Sequence, residues 1–202
     1  MFSKYKEFIQ NYVPLNFIEW SMIKSKLKIR RYNKGEIIHF VGDICHELMF
    51  INSGLARAYI LDENGKDYTW SIFFNDKNSH MTNLFVVDYE SLLSQKPSKL
   101  NIDTIEDCEV VVTNYKDIEF IYNNTKKADR FGRIMSEEAY KYIHNITIQR
   151  RTMSAKERFD KFMLDTPHLL HKVPQYHIAT YLDITPEHLS RLKKLNLTRG
   201  FN

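Results

Sequence analysis

Cysteine is nearly absent: Cys45 and Cys108 are the only two, far apart and in no CxxC spacing. That fits a reducing, cytoplasmic compartment and speaks against an iron–sulfur or zinc-thiolate site. No apolar run approaches the ~18 residues of a membrane span. The opening Met1-Phe2-Ser3-Lys4-Tyr5-Lys6-Glu7 has no apolar stretch of the secretory kind, so a cytoplasmic location is expected. The eight histidines show no HxH or HExxH spacing, which disfavours a metal-dependent cupin-type enzyme. No nucleophile–base constellation is visible either. Glu36, Asp43 and Glu47 read as solvated carboxylates near turns, so no catalytic residue and no enzyme activity is expected. Repeats and low-complexity stretches are also missing.

What is present is core-forming material. Hydrophobic residues make up 43% of the 202, with 13 Phe and 12 Tyr, enough to exclude disorder over most of the chain. The length allows one large domain or two small ones. Charge is unevenly spread: residues 1–149 carry 19 Lys/Arg and 20 Asp/Glu, residues 150–202 carry 10 and 5. The whole positive excess therefore lies in the last quarter. This suggests an acidic partner such as nucleic acid, with a solvated basic surface as the plain alternative.

The texture changes twice along the chain. Residues 3–28 predict two short helices, the second opened by a capping box of Asn16 and Glu19. From Lys34 to Asn114 short apolar runs alternate with turn signals. Strands are predicted at 36–40, 48–51, 55–61, 67–74, 100–105 and 110–113, with Asn64-Gly65 as a hairpin turn. Such spacing means an antiparallel sandwich or barrel. After Tyr115 the chain reads as helical.

The stretch from Thr125 to Ile148 has no Pro and one Gly. Its apolar residues Phe131, Ile134, Met135, Ala139, Tyr142 and Ile146 recur at helical spacing, with Tyr140, Ile143 and Ile148 off that stripe. Two apolar faces predict a helix that packs on its own barrel and on a second copy of the chain. Ser154 and Glu157 form another capping box, which sets a boundary at 150–153. Three units follow: 1–124 barrel, 125–150 dimerisation helix, 151–202 C-terminal helices.

Within 173–194, Pro174 opens one short helix, Asp183-Ile184 makes a turn, and Thr185-Pro186 caps and opens a second. That is a helix-turn-helix. At about 100° per residue, Leu189, Leu192 and Asn196 fall on one side and Glu187, Ser190, Arg191 and Lys194 on the other. Arg can read guanine, Glu can accept from cytosine, Ser suits either type of edge, and Lys suits a phosphate. By charge alone an ordinary solvated helix face is the more common explanation.

The sequence resembles the Crp/Fnr family of bacterial transcription regulators over nearly its whole length. Lys34-Gly35-Glu36-Ile37-Ile38-His39-Phe40-Val41-Gly42-Asp43 is similar to the start of that family's cyclic-nucleotide-binding-like barrel. Leu48 to Gly54 and Asn64-Gly65-Lys66 continue it. Ile178-Ala179, Leu182 and Ile184 to Arg191 match its helix-turn-helix. The resemblance implies an α+β fold: an N-terminal antiparallel, cupin-like β-barrel, a long dimerisation helix and a small all-α helix-turn-helix domain. It implies base-reading roles for Glu187, Ser190 and Arg191, with Thr185 and Lys194 beside them, on double-stranded DNA bound by a homodimer. RNA polymerase is the further partner that an activator of this kind would contact.

Three departures matter. Family members that bind cyclic AMP carry a Gly-Glu pair on a short helix and an Arg-Ser/Thr pair on the next strand. Here the segment 78–100 has no Gly-Glu pair, and Pro97-Ser98-Lys99 stands at the second position. Ser98 and Lys99 are the weak candidates for an anion, but Lys lacks the fork of Arg, so cyclic AMP is not the expected effector. Haem stays open through His39, His46 and His80. Asp183 stands where the family usually has Gly, and Asp tolerates the left-handed backbone. Only 195–202 follow the second helix, too short for the family's β-hairpin wing. A dimeric ligand-binding or interaction module that has lost DNA binding is therefore the alternative to a regulator.

Overall fold

The computed structural model describes residues 1–76 and 83–199, with side chains of the final helix described as far as Asn196. His80 lies outside the described residues. Among the described residues eight strands form two antiparallel sheets. The first has the order β1 (Lys28–Tyr32), β8 (Cys108–Asn114), β3 (Glu47–Ser53), β6 (Phe85–Val86). The second has the order β2 (Ile37–His39), β7 (Asn101–Thr104), β4 (Leu55–Leu61), β5 (Asp67–Phe74). The fold is α+β, with the antiparallel β sandwich followed by helices.

Alternation along the strands sorts side chains into layers. Met49, Ile51, Ala56, Ala58, Phe73, Ile102, Val110 and Val112 face inward and fill the space between the sheets. Phe50, Phe85 and Val111 face the other way, against α1 (Ser3–Gln10), α2 (Phe17–Ser25), α4 (Tyr115–Asn124) and the start of α5 (Lys126–Thr152). Leu55, Ile72 and Phe74, on the outer face of the second sheet, join a third core with the C-terminal helices. Both faces are thus covered along β3, the first half of β4 and the end of β5, while Ile60, Leu61, Tyr68 and Trp70 at the far end of the β4–β5 pair stay exposed.

Gly54 makes the β3–β4 corner at φ +94°. A Cβ there would sit 2.2 Å from the Asp107 carbonyl oxygen, so only glycine fits. Both predicted capping boxes are formed, Asn16 with Glu19 and Ser154 with Glu157. Strand β1 was not foreseen from the sequence. The long helix begins at Lys126 after Thr125 and runs to Thr152, two residues past its predicted end at 150. It is followed by α6 (Ala155–Asp165), α7 (Leu169–Lys172), α8 (Gln175–Tyr181) and α9 (Pro186–Arg199). Among the described residues no strand follows β8.

Buried residues on α5 stop at Gly132. Beyond it Tyr140 is 71% exposed, Ile143 46% and Ile148 45%. Both cysteines are buried and free, and burial pushes the Cys108 thiol up to about 11, so neither is a ready nucleophile.

Candidate nucleic-acid interface

The two helices α8 and α9 are joined by Leu182 to Thr185, and the turn is made by Asp183 at φ +56°. A short polar side chain is among the few that accept this left-handed position, so Asp replaces the expected glycine at small cost. Arg158 of α6 clamps the turn from behind. Its Nε donates to the Leu182 carbonyl at 2.9 Å, and Nη2 donates to that of Asp183 at 3.3 Å. Ile178, Ala179, Leu182, Leu189 and Leu192 bury the inner face of the pair. Ala179 is fully buried, where its small side chain lets the two helices approach closely.

Thr185 caps α9: its hydroxyl accepts the His188 N–H at 3.2 Å. Glu187, Arg191 and Lys194 are exposed on the face opposite Leu189 and Leu192, and Ser190 beside them is half-buried. The Glu187 carboxylate is held below the ordinary range by its own backbone N–H, then by the Thr185 hydroxyl, and by the charges of Arg191 and Lys66. It is therefore ionised and acceptor-only at neutral pH. The five residues marked from the sequence thus share one helix and its cap, and present donors, an acceptor and positive charge along one face.

The two candidates for an effector lie elsewhere and apart from each other in exposure. Ser98 is buried and its hydroxyl donates to Asp88 Oδ2 at 2.7 Å. Lys99 is exposed. Asp88 caps α3 (Tyr89–Ser94), its Oδ1 accepting the N–H groups of Glu90 at 3.1 Å and Ser91 at 3.4 Å. The segment in which the resemblance places a phosphate cradle thus holds a carboxylate of the chain itself. His39 sits near Asp43, Asp88 and His46, and burial lowers its pKa. His46 bonds Gln95 through Nδ1 at 2.9 Å. Among the described residues no group of three or more His, Cys, Asp or Glu is arranged to hold a metal ion.

Sequence reasoning missed how the helices are carried. α8 lies along β5. Thr69 N–H donates to Thr180 Oγ1 at 3.1 Å, and the Tyr176 hydroxyl donates to the Asp67 carbonyl at 3.0 Å. Arg57 of β4, only 5% exposed, bonds His177 of α8. The signal was present as a lone charge in Leu55-Ala-Arg-Ala-Tyr59, an otherwise apolar strand. The long helix also touches α8, through the Tyr142 and Tyr181 hydroxyls 3.5 Å apart.

Comparison with known proteins agrees with this arrangement. Residues 29–125 match the family model of the cyclic nucleotide-binding domain. No curated protein matches the chain by sequence at a significant level. Among solved structures, FixK2 from Bradyrhizobium japonicum superposes with a TM-score of 0.71 at 18% identity, over 86% of each chain. A putative Crp/Fnr-family regulator from Eubacterium rectale gives 0.67 at 19% identity, over 94% of this chain and 89% of that one. The c-di-GMP-responsive regulator CLP of Xanthomonas campestris gives 0.62 at 15%, over 92% and 93%. The strands together with α3 and α4, within 29–125, are thus similar to a cyclic nucleotide-binding domain, and the chain as a whole has the fold seen in solved Crp/Fnr-type structures.

Proposed function

We propose that the protein is a homodimeric transcription regulator that reads DNA through α9. The carrying observation is the face of α9: Glu187, Arg191 and Lys194 exposed, with Ser190 among them, opposite leucines buried in a helix-turn-helix core. Arg191 and Glu187 read base edges, Ser190 adds a further contact, Lys194 takes a phosphate, and Thr185 fixes the helix start. The exposed Tyr140, Ile143 and Ile148 support pairing of two copies along α5. Two recognition helices then enter successive major grooves about 34 Å apart.

The barrel transmits or senses a signal other than cyclic AMP. A cyclic phosphate in the α3 segment would meet the Asp88 carboxylate, which already takes the helix's first N–H groups and the Ser98 hydroxyl. Like charge at that spot opposes a second anion. The test is selection from a pool of randomised duplexes of about 30 bp, long enough for two half-sites one helical turn apart. An enriched inverted repeat is the expected result. Weak binding without enrichment that collapses as salt rises is electrostatic attraction alone, and overturns the reading in favour of a dimeric module without sequence-specific DNA binding.

A further inference from the structure

The contact between α8 and the second sheet is built around one buried arginine. Arg57 uses all three nitrogens of its guanidinium. Nε and Nη2 grip Asp103 of β7 at 3.0 and 3.1 Å, Nη2 also meets Asp67 of β5 at 2.7 Å, and Nη1 reaches His177 Nδ1 at 2.7 Å. Arginine only donates, so His177 Nδ1 is the acceptor, the ring is neutral and its proton sits on Nε2. A proton on Nδ1 would remove the acceptor and set a second cation against Arg57.

The surroundings give that proton somewhere to go. Asp67 Oδ2 lies 3.9 Å from His177 Nδ1, and Asp67 Oδ1 is buried without a hydrogen-bond partner. The groups facing His177 are Arg57, Asp67 and Asp103 from the sheet and Tyr176 from its own helix. An open cleft of about 630 Å³ alongside is lined by Lys34, His171, Lys172 and Lys193.

We infer that Arg57 and His177 are positioning residues: they hold α8, and through it the recognition helix α9, in one orientation on the barrel, and protonation of His177 releases that hold. Burial, then Arg57, lowers the His177 pKa against the opposing pull of Asp67 and Asp103. The docked state therefore binds a proton less readily than the released state. Docking is complete above the ordinary histidine range near pH ~6.5 and weakens as pH falls through it. A released helix pair must be ordered again on DNA, so the same protonation weakens DNA binding; that second half rests on the DNA-binding reading.

The experiment uses the full chain. Hydrogen exchange of the α8 amides is followed at about pH 7.5 and about pH 5.5, corrected for intrinsic rates, in the native protein, His177→Gln and His177→Ala. Gln accepts from Arg57 and does not titrate. The native protein should exchange several-fold faster at the lower pH. His177→Gln should stay slow at both, and His177→Ala should be fast at both. An undiminished pH response in His177→Gln, or slow exchange in His177→Ala at the higher pH, overturns the proposal. The same three proteins are then measured on the selected duplex. Several-fold weaker binding by His177→Ala, with native binding by His177→Gln, is expected. Binding by His177→Ala as tight as or tighter than native overturns the positioning role. If none of the three binds a specific duplex while exchange behaves as expected, the DNA-binding reading falls and the proton-sensitive docking stands.

Discussion

The barrel and the C-terminal helices bury their apolar residues in different ways. Between the two sheets the core is drawn from strands that close on each other, Tyr32 to Val112, and needs nothing from beyond them. The C-terminal helices are short, from the 4 residues of α7 to the 14 of α9. Phe159, Phe162, Leu169, Ile178, Leu189 and Leu192 form their core only together with Leu55, Ile72, Phe74 and Ile105 of the barrel. So small a unit has too little interior of its own, and it borrows the outer face of a sheet to complete one.

That contrast can be broken most directly in the shared core. Phe159→Ala and Phe74→Ala, one on each side, should each cost about 3–5 kcal/mol. Trp20 sits in the core between the first sheet and the N-terminal helices, and Trp70 lies under Arg150 at 5.4 Å. Urea unfolding followed at single-tryptophan variants and by helical dichroism should give coincident transitions. If Phe159→Ala loses helix in a separate early step while Trp20 is unmoved, the helices are an independent domain.

Three changes of middling size test the separate roles. Ser98→Ala removes the hydroxyl that donates to the buried Asp88 and should cost about 1–3 kcal/mol in the same unfolding measurement, without touching DNA affinity. Arg191→Ala should do the converse. It is expected to lose about 1–3 kcal/mol of binding to the selected duplex and to relax preference at one base position, with unfolding unchanged. Lys194→Ala should weaken all duplexes alike and reduce the salt slope by about one. The smallest effect is expected of Asp183→Gly, a gain under about 1 kcal/mol, because glycine adopts the left-handed turn without penalty. A loss would mean that the Asp183 side chain itself supports the turn.

How far the sequence could be read depended on how local the cause was. The strands 55–61 and 67–74 are found with the bounds that Asn64-Gly65 and the apolar runs predict. The two capping boxes and the turn at Asp183 need only neighbouring residues and are likewise legible. β1, Lys-Ile-Arg-Arg-Tyr, pairs with β8 and is not legible, because its side chains are mostly charged and meet acids on other strands. Arg30 meets Glu47 at 2.6 Å and Arg31 meets Glu109 at 2.8 Å, which leaves no apolar alternation to see. The Arg57–His177 contact joins residues 120 apart in sequence. Neither partner signals it alone, so the exposed polar face of α9 was readable from the sequence while the means of holding that helix was not.

The shared core also orders the events of synthesis. Leu55, Ile72, Phe74 and Ile105 leave the ribosome well before Phe159 to Leu192, so the barrel's outer face exists before the helices that cover it. The last helices are short and marginal alone, and their contacts span a hundred residues of chain, which makes them late to form. A nascent chain therefore acquires its barrel first and α9 last. A C-terminal fragment beginning after the long helix would emerge with nothing to fold against.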